Sequence, residues 1–188
     1  MKTSHKGKDI AAKKILKKSD LKSHIRDIPD FPKEGIIFKD ITTLLKDKDA
    51  FKKSVDLLAK KFRKESIAVV IGVEARGFIF GAALAYKLGA GFVPIRKKGK
   101  LPSKTKSVTY ELEYGQDVLE MHEDAVAPGT RVLIVDDLLA TGGTIQAVIE
   151  LVKAAKATIA GVAFLVELRF LKGKSRLKDL PVYSVIKY

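Results

Sequence analysis

Val132-Leu-Ile-Val135 is followed by Asp136-Asp137, by a small-residue run Ala140-Thr-Gly-Gly-Thr144, and then by apolar residues at helical spacing. Few folds accept that order. Arg131 to Val135 shows no polar alternation, which predicts a strand of a parallel sheet covered on both faces. Ile145, Val148, Ile149 and Val152 fall on one side of a helix predicted over Thr144 to Ala155. Ala140, Thr141, Gly142, Gly143 and Thr144 therefore occupy a strand-to-helix turn. A helix start leaves amide N–H groups unpartnered and carries partial positive charge, so the turn suits an anion. Gly142 and Gly143 allow close backbone approach, and Thr141 and Thr144 add hydroxyl donors. The expected ligand is a phosphomonoester. Asp136 and Asp137 precede the turn at the carboxyl end of the strand, where open α/β sheets bind ligands. They suit sugar hydroxyls or the surroundings of a magnesium ion, and the whole suits a ribose 5-phosphate.

Other readings of the acid pair were weighed. A nucleoside triphosphatase would need a G-x-x-x-x-G-K-[ST] loop, which the chain lacks. A phosphoacceptor receiver would place the acids after the first strand of its domain, whereas here they stand late in the chain. A purely structural turn needs one glycine and no carboxylate pair.

The segment resembles the signature of type I phosphoribosyltransferases. Ile25 to Pro32, Gly35 to Ile41, Gly72 to Phe78, Ile95 to Pro102 and Leu112 to Gly115 are similar, in order, to blocks of the adenine phosphoribosyltransferase family. The resemblance runs from about residue 24 to the C-terminus. It implies a single α/β domain, with a mainly parallel twisted sheet flanked by helices and a small N-terminal hood over about 24–41. Residues 1–23 would be a lysine-rich leader, and about 97–115 a mobile loop. The implied reaction joins adenine to phosphoribosyl pyrophosphate, giving AMP and pyrophosphate with Mg2+, the metal held mainly by substrate and water. A transferase for another nucleobase stays open, as does a non-catalytic sensor of the sugar donor that binds nucleic acid.

The resemblance also implies residue roles. Gly72-Val-Glu-Ala-Arg76 would hold the pyrophosphate, with a non-proline cis peptide between Glu74 and Ala75. Arg76 is read as catalytic and, by its fork geometry, as a pyrophosphate ligand. Arg96, Lys97 and Lys100 would neutralise the leaving group. Glu113 would handle the proton of the attacking base, and Tyr114 would cover the ribose. Asp136, Asp137 and Ala140 to Thr144 would take the ribose and its 5′-phosphate. Ile37, Phe38 and Lys39 would face adenine; many family members carry Arg where this chain has Lys39.

The 188 residues, 46% of them hydrophobic, suffice for one domain with a full core. The absence of Cys excludes disulfides and thiolate chemistry. No apolar run approaches the roughly 20 residues that cross a bilayer, so membrane association is not expected and a cytoplasmic location is. The net charge of +14 would suit polyanions in general. Without interleaved aromatics it does not make nucleic acid the expected partner. A homodimer is expected by family analogy.

Periodicity predicts a lysine-rich helix over Asp9 to Leu21, preceded by a mobile polar end, then a break at Pro29 and Pro32 and an extended Gly35 to Phe38. A helix follows over Asp49 to Lys64, a strand over Ile67 to Ile71, a helix over Gly77 to Leu88 and a strand over Gly91 to Ile95. The polar stretch Lys97 to Thr109 reads as a loop, and Tyr110 to His122 as β-structure. Strands over Ile159 to Leu168 and Tyr183 to Ile186 end the series.

Overall fold

The computed structural model describes residues 16–111 and 116–188. At its centre lies β7 (Arg131–Leu139), in which Val132, Leu133, Ile134 and Val135 are all fully buried. The even-numbered pair packs on one face of the sheet and the odd-numbered pair on the other, as the two-residue side-chain period of a strand requires. Both faces are covered, which explains why the sequence there is continuously apolar. Against one face lie α2 (Lys48–Phe62) and α3 (Gly77–Leu88), contributing Leu58, Phe62, Phe80 and Leu84. Against the other lies α4 (Gly143–Ala154), contributing Ile145, Val148, Leu151 and Val152.

The remaining main-sheet strands are β3 (Val69–Val73), β4 (Gly91–Lys97), β5 (Thr105–Glu111), β6 (Gln116–His122), β8 (Thr158–Glu167) and β9 (Val182–Lys187). Their spatial order is β5-β6-β4-β3-β7-β8-β9. β4, β3, β7, β8 and β9 run parallel, and the β5–β6 hairpin joins antiparallel through β4. This is the expected α/β architecture. α3 links β3 to β4 on one face, while α4 links β7 to β8 on the other. The chain thus winds in opposite directions from the β3/β7 pair, and a crevice opens at the carboxyl ends of those strands. The β3–β7 ladder stops at Gly72↔Val135, whereas β7 continues beside β8 to Leu139↔Glu167. Asp136 and Asp137 therefore lie inside a strand that outruns its neighbour on one side. The expected end at Val135 was too early, because acids of low strand preference are here retained by the β8 ladder.

Two further sequence expectations change. Thr105 to Thr109, assigned to a polar loop, instead continues the β-structure expected from Tyr110 as strand β5, paired with β6 from Thr105↔His122 to Glu111↔Gln116. Its alternation, with Lys106, Val108 and Tyr110 half-buried and Ser107, Thr109 and Glu111 exposed, was hidden because a lysine stands on the inner face. Most of the helix expected over Asp9 to Leu21 lies outside the described residues. Within them the chain makes a 3-10 helix over Lys18–His24, with Leu21 fully buried.

A separate two-stranded antiparallel sheet joins β1 (Arg26–Ile28) to β2 (Phe38–Asp40), and α1 (Thr42–Lys46) follows. Asp40 secures this corner. Its Oδ2 accepts from Arg26 Nη2 at 2.5 Å and from the Thr42 hydroxyl at 2.9 Å, and its Oδ1 accepts from the Thr42 amide at 2.9 Å. Those Thr42 bonds, aided by Arg26, hold the carboxyl at about 2 rather than 3.8. A depressed carboxylate pKa stabilises the fold above its unfolded value, and the contribution fades as pH falls through the folded value. Asp40→Asn should cost about 1–3 kcal/mol at neutral pH. The gap from wild type should narrow between pH 4 and pH 2; chemical unfolding curves that stay equally far apart would contradict this.

Candidate active site

The turn after β7 is built as an anion cradle. Gly142 caps α4 in the left-handed region (φ 86°), and no side chain caps the helix start, so its first amides lack a local acceptor. Asp136, Leu138 and the Leu139 to Ile145 stretch line a cavity of about 70 Å³. Thr141 is exposed to it, while Thr144 stands beside the Tyr110 phenol on β5. Burial pushes that phenol up. Tyr110 was not singled out in the sequence, because its contact runs from one edge of the sheet to the turn and leaves no local pattern.

The two acids divide. Asp136 lines the cradle, its Oδ1 accepting from the Asp137 amide at 2.8 Å. Asp137 is buried, and its Oδ2 stands 2.8 Å from Arg76 Nη2. The ion contact is close, but its alignment is not that of a hydrogen bond, and Oδ2 has no other partner. Desolvation and the charge of Asp137 push Asp136 well above the ordinary carboxylate range. Desolvation also raises Asp137, with Arg76 pulling the other way. Two desolvated carboxyls side by side disfavour a double negative charge. Hydroxyl donors or a cation would relieve them.

Arg76 precedes α3, and its guanidinium carbon lies 5.1 Å from the centre of the Phe38 ring. One side chain thereby touches β2 and the acid pair. The Glu74–Ala75 peptide just before it is cis, as expected. Gly77 follows because a Cβ there would stand 2.8 Å from Asp136 Oδ1 and 3.1 Å from Val135 O.

The cations expected to meet pyrophosphate are found paired with acids. Glu74 accepts from Lys100 Nζ at 2.6 Å, from the Lys97 amide at 3.0 Å and from Arg96 Nε at 3.3 Å. Burial alone would raise Glu74, but these bonds outweigh it and hold the carboxyl at about 2. Lys97 Nζ lies 2.8 Å from Asp117 Oδ2, a contact that raises the lysine and lowers the acid. Glu74 stands inside the block that singled out Arg76 and could have been flagged as its counter-charge. Asp117 had no such signal, since only the β4–β6 register, with Lys97 opposite Leu119, brings it near Lys97.

Ile37 is exposed and Phe38 packs edge-on against Phe31 with ring centres 5.2 Å apart. Lys39 turns away from Phe38: its Nζ lies 2.7 Å from both oxygens of Asp27 and 4.1 Å from the centre of the Tyr188 ring. That side chain is committed to tying β2 to β1 and to the C-terminal Tyr188. Glu113 and Tyr114 lie outside the described residues. Among the described residues no group of three or more acids, histidines or cysteines could hold a metal ion, and no helix is long and apolar enough to cross a membrane.

Residues 40–187 match the family described as phosphoribosyl transferase domain. The adenine phosphoribosyltransferase of Acidobacterium capsulatum is 60% identical over 168 residues, spanning 89% of this chain and 93% of that protein. That of Pelobacter propionicus is 59% identical over 169 residues, 90% and 98% of the two chains. Among solved structures, the adenine phosphoribosyltransferase of Thermoanaerobacter pseudethanolicus superposes with a TM-score of 0.89 at 53% identity, over 92% of this chain and 100% of that one. The Saccharomyces cerevisiae enzyme, complexed with an imino-altritol bisphosphate and adenine, does so with a TM-score of 0.84 at 42% identity, over 89% and 97%. The fold, the crevice between β3 and β7 and these likenesses converge: this chain belongs to the adenine phosphoribosyltransferase family of phosphoribosyl transferase domains.

Proposed function

We propose that the chain transfers the 5-phosphoribosyl group of phosphoribosyl pyrophosphate to adenine, forming AMP and releasing pyrophosphate in purine salvage. The observation that carries the reading is the crevice, where a phosphate-sized turn, two desolvated acids and Arg76 converge beneath Phe38. In the reaction N9 of adenine bonds to C1′ as the C1′–O bond to pyrophosphate breaks, and N9 gives up its proton. Positive charge spreads over the ribose as the bond breaks, so the protein's part is to position, neutralise and exclude water.

The amides and hydroxyls from Ala140 to Thr144 anchor the 5′-phosphate. Asp136 and Asp137 accept from ribose hydroxyls, which supply the positive ends their desolvated oxygens lack. Arg76 meets the pyrophosphate, with Arg96, Lys97 and Lys100 exchanging carboxylate partners for phosphate oxygens. Glu113 takes the proton from N9 and Tyr114 covers the ribose. The 97–115 segment closes over the reactants and the 24–41 segment is the hood. Adenine lies against Phe38 and Ile37. With its side chain engaged by Asp27 and Tyr188, Lys39 offers the base its main chain, so Lys in place of Arg is tolerated. Magnesium fits here as a companion of the sugar donor, since a hard cation keeps water and phosphate oxygens and needs few protein carboxylates. When bound it neutralises the leaving group, and Asp136 and Asp137 are the acids placed to meet its shell. A cytoplasmic homodimer completes the reading. Ile79 and Tyr86, exposed two turns apart on α3, support it by offering an apolar stripe to a second copy.

Three outcomes test this reading. With phosphoribosyl pyrophosphate and Mg2+, adenine should yield AMP while hypoxanthine, guanine and uracil give little product; equal turnover of another base would displace the assignment. Asp137→Asn should reduce kcat/KM by roughly 10–100-fold, yet leave the unfolding midpoint nearly unchanged because it removes a desolvated charge. Asp136, whose folded pKa is raised, costs stability as pH rises above the ordinary carboxylate range. Asp136→Asn should therefore gain on wild type in thermal scans between pH 4 and pH 7; a gap independent of pH would count against the buried pair.

A further inference from the structure

Beyond β8 the chain turns through a 3-10 segment, Gly173–Leu177, and its first residue lies directly behind the cradle. Gly173 is buried between exposed Lys172 and Lys174. A Cβ there would overlap the Ala140 carbonyl oxygen outright and stand 2.9 Å from the Thr141 carbonyl carbon. A Cβ on Gly142 would in turn stand 2.9 Å from Gly173 O. Backbone meets backbone here, and neither partner can yield as a flexible side chain would. Gly173 itself has no positive φ, so the position needs glycine for space alone.

The segment that carries it is fixed on its far side. Ser175 donates to Lys172 O through its amide at 2.9 Å and its hydroxyl at 2.7 Å. Leu177 is 3% exposed and packs in the same apolar cluster as Ile145 and Val148 of α4. One hydrophobic anchor therefore ties the segment to the helix whose start forms the cradle. In a planar trans peptide the C=O and the following N–H point in opposite directions. Pressing on the Ala140 carbonyl from behind orients the Thr141 N–H away from Gly173.

We propose that Gly173 is a positioning residue of the reaction: its bare Cα is the backstop that sets the Ala140–Thr141 peptide, and so the grip of the turn on the 5′-phosphate. The inference rests on the assignment of Ala140 to Thr144 to that phosphate. It predicts selective damage. Displacing the backstop moves one subsite and leaves the pyrophosphate subsite at Arg76, carried by β3 and α3, in place.

Calorimetric titration of the full chain with ribose 5-phosphate and, separately, with pyrophosphate reads that selectivity. Gly173→Ala should weaken ribose 5-phosphate by about 10-fold or more, as an ångström-scale displacement of a binding group does, with pyrophosphate affinity held within about 2-fold. Unchanged affinity for both ligands, or an equal loss of both, overturns the proposal. Thr141→Ala tests the assignment beneath it: if that variant binds ribose 5-phosphate as wild type does, the cradle has been misassigned and the role of Gly173 falls with it. Should Gly173→Ala fail to fold, Leu177→Val loosens the anchor while sparing the core, and should give the same one-sided loss at about 3-fold. Equal effects on the two ligands in that variant refute the proposal.

Discussion

Arg76 and Asp137, 2.8 Å apart at the mouth of the β3/β7 crevice, join parts of the chain that sequence separates widely. The arginine stands at the start of α3 and the acid on an extended strand, with Phe38 of β2 5.1 Å from the guanidinium. A buried carboxylate without a partner would be strongly destabilising. Asp137 is tolerable only because Arg76 faces it, and the position of Arg76 depends on the turn after β3. One arginine side chain thus links the acid pair of β7 to the aromatic ring of β2. The charge contact is incomplete by design of its geometry, since Asp137 Oδ2 gains the ion but no aligned hydrogen bond.

The cations around Glu74 follow a related logic. A site meant for a highly charged leaving group concentrates positive charge, and such a cluster repels itself when alone. Glu74 and Asp117 accept Arg96, Lys97 and Lys100 at 2.6 to 3.3 Å and so stabilise the ligand-free arrangement. In the proposed reaction phosphate oxygens take over from carboxylates. Ligand binding is then an exchange of partners, which lowers net affinity but spares the protein an uncompensated cluster of charge.

Legibility in the sequence tracked how local each feature is. α3 matched its predicted bounds, and α4, β8 and β9 came within a residue or so, because buried faces write their period directly into the chain. The first five residues of β5 were missed because an edge strand with a polar outer face carries little hydrophobic signal. β7 was drawn short because only its β8 neighbour, distant in sequence, holds Leu138 and Leu139 in the sheet. The same division applies to the site. Asp136, Asp137, Arg76 and the turn were readable from motif and spacing. Tyr110 on Thr144, Asp117 on Lys97 and the clamp of Asp27 and Tyr188 on Lys39 were not. Each is a long-range contact between residues that are ordinary in their own neighbourhoods.

Gly173 is the extreme case. Glycine in a lysine-rich stretch reads as a surface turn, and its own backbone angles would admit another residue. What excludes a side chain is the carbonyl of Ala140, across the sheet's end and on another element. Motif reading finds the groups that touch a phosphate, because their chemistry is restricted. It does not find the surface those groups rest on, where the requirement is for empty space and many sequences could supply it. A phosphate cradle made from backbone amides has no side chain to lock its orientation, so its precision must come from whatever packs behind it.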